Sequence, residues 1–323
     1  MLITILLFAL GFVLLIKGGD WFVDGAVGIA NYLHLPEVLI GATIVSIGTT
    51  LPEVMVSAQA AMEHNSGISY GNAIGSIICN TSLIAAISIV LRPMIIKKRS
   101  MLVPSVAFFV SAVVYTCIAV VNQGFNRAHG ILLLAMFAAY IVIVIVQIRR
   151  SGDLTAGDEK KRQEDLPPVM HLVIMIAAGA VAIAFGARFL VDSGTKIASA
   201  IGVPDSVIGL TMVALGTSLP ELVTAVTSYL KGYSSLSVGN IIGANLFNIV
   251  LVSGVAITIS PFALPAGKMI MGRNASLCID IPVMFAVTLL LCLPALIKGK
   301  LYRAQGILLL CIYIGFTVFQ FLY

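Results

Sequence analysis

Apolar runs of some twenty to thirty residues, separated by short polar clusters, follow one another along almost the whole chain. A helix needs about 20 apolar residues to cross the hydrocarbon core of a bilayer. Only a helix or a closed barrel satisfies its own backbone there. The pattern predicts ten spanning helices, over 2–30, 36–62, 68–92, 102–122, 127–148, 168–198, 204–230, 235–262, 274–296 and 303–322. The first run has no basic segment ahead of it and the apolar pattern simply continues, so it reads as a span rather than a cleaved leader. The one long hydrophilic stretch, "RRSGDLTAGDEKKRQEDLPP" from Arg149 to Pro168, reads as a solvated linker. It divides the chain into a first transmembrane repeat (1–148), a cytoplasmic linker (149–167) and a second transmembrane repeat (168–323).

The two halves repeat each other. "PEVLIGATIVSIGTTLPE", beginning at Pro36, returns as "PDSVIGLTMVALGTSLPE", beginning at Pro204. The offset is 168 residues, the separation of Glu53 from Glu221, and it holds without a gap from Gly18 to Asn80. It pairs Asp24 with Asp192, Asn72 with Asn240 and Asn80 with Asn248. Each half carries five spans. An odd number makes the second half enter the membrane from the opposite side, so the repeats are expected to be inverted, an architecture of secondary transporters.

Composition agrees with this class. Apolar residues make up 59% of the 323 positions and charged residues 10%, and mean hydropathy is +1.08, far from the roughly one-quarter charged composition of soluble domains. The net charge of +5 is unevenly placed. Lys and Arg gather after spans three, five and nine, at Arg92 to Arg99, Arg149 to Arg162 and Lys298 to Arg303, all on one side. The opposite side carries little beyond Arg127, Lys268 and Arg273. The positive-inside rule then places both termini outside the cytoplasm of a cell (inner) membrane. Clustering of this kind orients a membrane protein and does not suggest a nucleic-acid partner. The five cysteines all fall in apolar runs without metal spacing and read as small core residues.

Within this apolar chain stands "IVSIGTTLPEVMVS", Ile44 to Ser57, with a carboxylate directly after a proline. Ser46, Thr49 or Thr50, Glu53 and Ser57 recur every three or four residues and share a helix face. Pro52 removes one N–H and crowds the carbonyl a turn earlier, near Gly48, which predicts a kink or break. Carboxylate, hydroxyl and carbonyl oxygens together suit hard cations such as Ca²⁺ and Na⁺. The second half supplies Thr217, Ser218, Glu221 and Thr224. The next span of each half adds amides: Asn72, Ser76 and Asn80, and Asn240 and Asn248. A lone intramembrane Glu is as readily a protonated or hydrogen-bonded structural group as a functional one. Two copies at matched positions of an inverted repeat favour function. Lys17, Asp20 and Asp24, and Arg188, Asp192 and Lys196, are spaced to neutralise one another along their helices or to snorkel, with a role in gating as the alternative. Asp280 is expected at an interface. The four histidines form no ligand cluster.

Through "GTTLPE" at Gly48–Glu53, "GTSLPE" at Gly216–Glu221, "GNAIGSIICN" at Gly71–Asn80 and "GNIIGANLFN" at Gly239–Asn248, the chain resembles the cation/calcium exchanger superfamily, and within it the bacterial sodium/calcium exchanger branch. The resemblance implies ten spans in two inverted five-helix repeats, with ion sites in the second and third helix of each. It implies Glu53 and Glu221 as central calcium ligands. Thr49, Thr50, Thr217 and Ser218 would contribute through hydroxyl or carbonyl oxygens, Ser46 and Ala214 through backbone carbonyls, and Ser76, Asn80 and Asn248 would complete the ring. Spans one and six would slide across the rest as the gate. Three positions depart from the pattern: Ala244 where a serine is often a sodium ligand, Ile77 where asparagine is common, and Asn248 where many relatives carry aspartate.

The expected activity is secondary active antiport of Na⁺ against Ca²⁺ by alternating access, electrogenic and exporting Ca²⁺, with no enzymatic step. The ions are substrates, the lipid bilayer is the surrounding partner, and no cofactor or obligatory protein partner is inferred. A proton-coupled or potassium-dependent cation antiporter is the alternative. A channel or membrane structural protein is a more distant rival that the paired acids disfavour.

Overall fold

The computed structural model describes residues 2–33, 35–91, 93–96, 98–152, 167–201, 216–265, 269–270 and 273–322. The chain is built of helices joined by short links. We label them α1 (Leu2–Tyr32), α2 (Glu37–Met62), α3 (Ser66–Leu91), α4 (Lys98–Asn122), α5 (Arg127–Gly152), α6 (Val169–Ala200), α7 (Leu219–Leu230), α8 (Ser234–Ile259), α9 (Ser276–Lys298) and α10 (Arg303–Leu322). Among the described residues nine are long and apolar enough to cross a membrane. The shorter one is α7. The expected span 204–230 begins outside the described residues, as does most of the linker.

The helices differ in how far they are enclosed. Helices α8, α3 and α2 are the most buried, whereas α1, α5, α6 and α10 turn most of their surface outward, as apolar side chains facing lipid do. Phe247 of α8 meets Phe137 and Tyr140 of α5 edge-on, at centroid distances of 5.2 and 6.0 Å. Helices α1 and α6 pack side by side and antiparallel. Gly11 lies against Gly186, Gly18 against Gly179 and Ala182, and Gly25 against Leu172 and Ile176. These contacts repeat every seven residues. A Cβ on Gly179 would stand 2.6 Å from the Phe22 backbone nitrogen, so the backbones approach as closely as they do only because the seam lacks side chains.

Two short ribbons fasten one half of the chain to the other. Met94–Ile95 pairs with Lys300–Leu301, and Gly124–Phe125 pairs with Phe262–Ala263, both antiparallel. They are built alike. Ile96 N donates to Gly299 O at 2.9 Å and Leu264 N donates to Gln123 O at 3.0 Å, and the acceptors Gly299 and Gln123 both have positive φ, 66° and 52°. The offset that pairs Glu53 with Glu221 also pairs Ile96 with Leu264. Each ribbon therefore joins the link after the third helix of one half to the link before the last helix of the other.

Helix α2 departs from expectation at Pro52. It is regular from Ser46 to Met62, straight through the proline, and leaves α geometry two to three turns before it, in a π turn at Gly41–Val45. A π turn inserts one residue into the helical register and so accommodates the irregularity before the proline is reached. The second copy is broken as expected. Thr217 and Ser218 form a turn, and α7 starts at Leu219 with Pro220 in its first turn, where a missing N–H leaves no gap in the hydrogen-bond ladder. Two of the five cysteines, Cys117 and Cys311, are exposed on outward faces rather than in the core, while Cys79 and Cys292 are buried. An apolar run in a spanning helix covers the lipid-facing side too, so sequence context alone does not place a thiol. Asp280 accepts a hydrogen bond from Gln320 of α10 at 2.9 Å.

Candidate cation site

The two carboxylates lie at the centre of the enclosed helices. Glu53 and Glu221 are fully buried, and each half's acid is close to the other half's residues. The charge of Glu221 acts on Glu53, and Thr49 and Thr50 of α2 lie beside the Glu221 carboxylate. The sequence separation of 168 residues is thus closed in space.

Around them is a set of buried polar atoms that no described residue satisfies. Thr50 Oγ1, both carboxylate oxygens of Glu53, the Asn80 amide, Ser218 Oγ, both carboxylate oxygens of Glu221 and the Asn248 amide have no hydrogen-bond partner among the described residues. A buried polar group left unpaired costs free energy, and a buried unpaired charge costs far more. Six such residues lie on or at the start of the helices that enclose the two acids, a set of groups that a cation could satisfy. The donor set is all oxygen apart from the amide nitrogens, which fits a hard cation of the Ca²⁺ or Na⁺ kind. No group of three or more His, Cys, Asp or Glu suited to a softer metal occurs among the described residues.

The backbone is irregular where the amides emerge. Asn80 begins a π turn over Asn80–Ala85 and Asn248 begins one over Asn248–Val252. These are matched positions of the two halves, and π turns concentrate at functional sites. A third π turn, Gly41–Val45, leads into Ser46. Tyr140 of α5 donates to the Ala42 carbonyl within it at 2.9 Å.

The other sequence-predicted residues fall around this cluster in different ways. Ser46 and Thr49 are buried but engaged. Ser46 Oγ lies 2.7 Å from Gly41 O, 2.9 Å from Asn240 O and 3.3 Å from Asn240 Oδ1, and Thr49 Oγ1 lies 3.2 Å from Asn240 Oδ1. Ser76 is buried one turn before Asn80, and Thr217 is half-buried in the turn before α7. Ala214 lies outside the described residues.

Several residues near the site were not singled out as ligands from the sequence. Asn240 clasps α2 from α8. Asn72 donates to Glu53 O at 3.1 Å and to Ser57 Oγ at 2.8 Å, fixing the turn that carries the acid. Asn245 donates to Thr81 Oγ1 at 2.6 Å, tying α8 to α3. The 168-residue offset maps that pair onto Ile77 and Ile249, both buried in the apolar core, so the two flanks of the site differ in polarity. Cys79 lies beside Ser218 and the two acids. The glycines at 239 and 243 make the clasp possible, because a Cβ on Gly243 would overlap Ser46 Oγ and one on Gly239 would overlap Val38 O.

Comparison with known proteins gives the family and the fold. The family profile described as sodium/calcium exchanger protein matches residues 3–146 and 171–322. The chain belongs to that family. It is 36% identical to the putative antiporter CaxA of Alkalimonas amylolytica and 30% identical to the sodium/calcium exchanger MaX1 of Methanosarcina acetivorans, with 99% of both chains covered in each case. Among solved structures, the sodium-calcium exchanger NCX_Mj soaked with 10 mM Na⁺ and 10 mM Sr²⁺ superposes with a TM-score of 0.81 at 32% identity, covering 97% of each chain. Membership makes the chain an integral membrane exchanger of Na⁺ and Ca²⁺, not an enzyme, and places its fold with that of NCX_Mj. The transported ions are its substrates.

Proposed function

We propose that this protein exchanges Na⁺ for Ca²⁺ by alternating access, at a site formed by Glu53, Glu221 and the oxygens around them. One observation carries the reading: two fully buried carboxylates, one from each half, with hydroxyls beside them and no positively charged partner among the described residues. A divalent cation cancels their combined charge, and three Na⁺ overshoot it by one. The ligand set we propose is Ser46, Thr49, Thr50, Glu53, Ser76, Asn80, Ala214, Thr217, Ser218, Glu221 and Asn248. Asn72 and Asn240 support it from behind. The two halves, 1–148 and 168–323, act as inverted repeats in a cell (inner) membrane, with both termini outside the cytoplasm. The matched construction of the two ribbons supports that relation.

Energetics favour electrogenic export. Moving Ca²⁺ out against a roughly 10⁴-fold gradient costs about 5.5 kcal/mol, and each Na⁺ entering down a roughly tenfold gradient returns about 1.4 kcal/mol. Two Na⁺ fall short. Three return about 4.2 kcal/mol, and the extra inward charge adds about 2.3 kcal/mol at about −100 mV, which together exceed the cost.

The test is ⁴⁵Ca²⁺ uptake into proteoliposomes loaded with Na⁺, with and without a proton uncoupler. Uptake driven by outward Na⁺, insensitive to the uncoupler and sensitive to membrane potential, is expected. Uptake that needs a proton gradient and ignores Na⁺ would replace this reading with proton-coupled antiport.

A further inference from the structure

Three charged side chains away from the cation site tie the α1–α6 pair to one core helix. Lys231 ends α7 and reaches Asp20 Oδ1 at 3.2 Å and Asp24 Oδ1 at 2.8 Å, both on α1. Partial burial works against the Lys231 charge, but the hydrogen bonds and charges of Asp24 and Asp20 outweigh it, and its pKa lies above the ordinary lysine value. One helical turn away the same helices touch at Gly19, where a Cβ would meet Thr227 Oγ1 and Val223 Cγ1 at 2.8 Å.

The 168-residue offset carries this contact onto a matching place in the other half, with two of the three signs reversed and the third, an aspartate, kept. Lys231 corresponds to Glu63, Asp20 to Arg188 and Asp24 to Asp192, while Val223 and Thr227 correspond to Met55 and Gln59. There the contact is not made. Met55 is 72% exposed. Glu63 accepts a hydrogen bond from Gln59 of its own helix at 3.0 Å. Arg188 lies 3.7 Å from Asp192 of its own helix, with side chains 75% and 58% exposed. Helix α1 packs broadly on α7, whereas its counterpart α6 touches α2 only slightly. The helix pair is docked on one side of the core and undocked on the other.

We propose that Lys231 and Glu63 are alternating anchors of the exchange reaction. In the conformation seen, Lys231 holds Asp20 and Asp24. When the α1–α6 pair shifts to close the other side, Arg188 leaves Asp192 for Glu63 as Asp20 and Asp24 leave Lys231. This rests on the alternating-access reading above. The exchanged signs of Lys231 and Glu63, and of Asp20 and Arg188, give each state one bridging cation–carboxylate pair across the helices, with the second aspartate strengthening the Lys231 side. A fastening on one side alone would hold the protein in one state. Partly exposed ion pairs are individually weak, so neither fastening traps the cycle, and both states stay within the small free-energy gap that alternation requires.

The test reads sidedness, not flux. A cysteine placed by Gln59→Cys in vesicles, at an exposed polar position one turn from the end of α2, should react with an impermeant maleimide above the background of the native cysteines. Adding Lys231→Gln should slow that labelling by about two- to fivefold, the range of one weak ion-pair contact, and Lys231→Arg should restore it. Glu63→Gln should instead hold labelling at or above the starting rate. Labelling unmoved by Lys231→Gln would overturn the proposal. A second arm uses the double variant Glu63→Cys with Arg188→Cys. During incubation with Na⁺ and Ca²⁺ these should form a disulfide that arrests exchange until it is reduced. Exchange that proceeds with no disulfide under oxidising conditions would also overturn it. Labelling needs no transport assay. A labelling shift in a protein that carries no Na⁺-driven Ca²⁺ flux would sink the transport reading and leave the anchors standing.

Discussion

Thr49 Oγ1 donates to the side-chain oxygen of Asn240 at 3.2 Å, across 191 residues of sequence. The bond sets the direction of the Thr49 hydroxyl. It holds the Thr49 hydroxyl between α8 and the Glu221 carboxylate.

Asn240 is therefore expected to act on ion affinity without touching the ion. Losing one neutral hydrogen bond costs about 1 kcal/mol, so Asn240→Ala should raise the Ca²⁺ concentration for half-maximal exchange about fivefold, with the maximal rate less affected. The measurement is ⁴⁵Ca²⁺ uptake against external Ca²⁺ in proteoliposomes. An unchanged half-saturation would mean that Thr49 keeps its orientation without Asn240.

The acids should behave differently. Glu53→Gln or Glu221→Gln halves the charge available to Ca²⁺ in a water-poor site, and either change should abolish exchange while the protein still inserts and purifies as a folded species. The conserved shape of Gln keeps packing intact, so the loss reports charge. Near-normal flux in either variant would remove the central claim about the site.

Orientation has its own check. Lys98→Cys, before α4, should be labelled by an impermeant reagent only from the cytoplasmic side, and Arg127→Cys, before α5, only from outside. Labelling of both from one side would contradict the inverted arrangement.

The amides set a prediction about potassium. With Asn80 and Asn248 neutral, Glu53 and Glu221 are the only formal charges among the buried unpartnered groups of the described residues, and a co-bound K⁺ would find no further acid among them to offset it. Ca²⁺ uptake by Na⁺-loaded vesicles should run at full rate in potassium-free medium. Asn248→Asp adds a third acid and should introduce a dependence on K⁺ or on pH. Uptake by the unsubstituted protein that disappears without K⁺ would show the amide argument to be wrong.

Much of this was legible before any coordinates. Apolar run lengths located nine of the helices to within a few residues, because bilayer thickness leaves little freedom. The twin acids stood out because a carboxylate in an apolar run has to be explained. What the sequence could not carry was contact between distant segments. Asp20 and Asp24 are spaced to pair with Lys17 along α1, yet they bind Lys231 of α7, a partner that no local periodicity reveals. Asn245 meets Thr81 from the other half. The two halves also share "LPE", but the chain runs helically through Pro52 and breaks before Pro220. Local residues are alike there, so the difference comes from what surrounds each copy, including the clasp of Asn240 on α2. Cys117 and Cys311 were misplaced because an apolar residue in lipid has two equally good directions to face.

The paired ribbons have a consequence for how the protein is made. Met94–Ile95 follows the third helix, but its partner strand Lys300–Leu301 lies in the link between α9 and α10. The first half cannot close its own edge as it leaves the ribosome. It must wait for nearly all of the second half to be synthesised and inserted, and the second half's Phe262–Ala263 in turn finds Gly124–Phe125 already waiting. The order of translation thus gives the two halves unequal parts in assembly: one is a template that stands open, the other arrives and completes both.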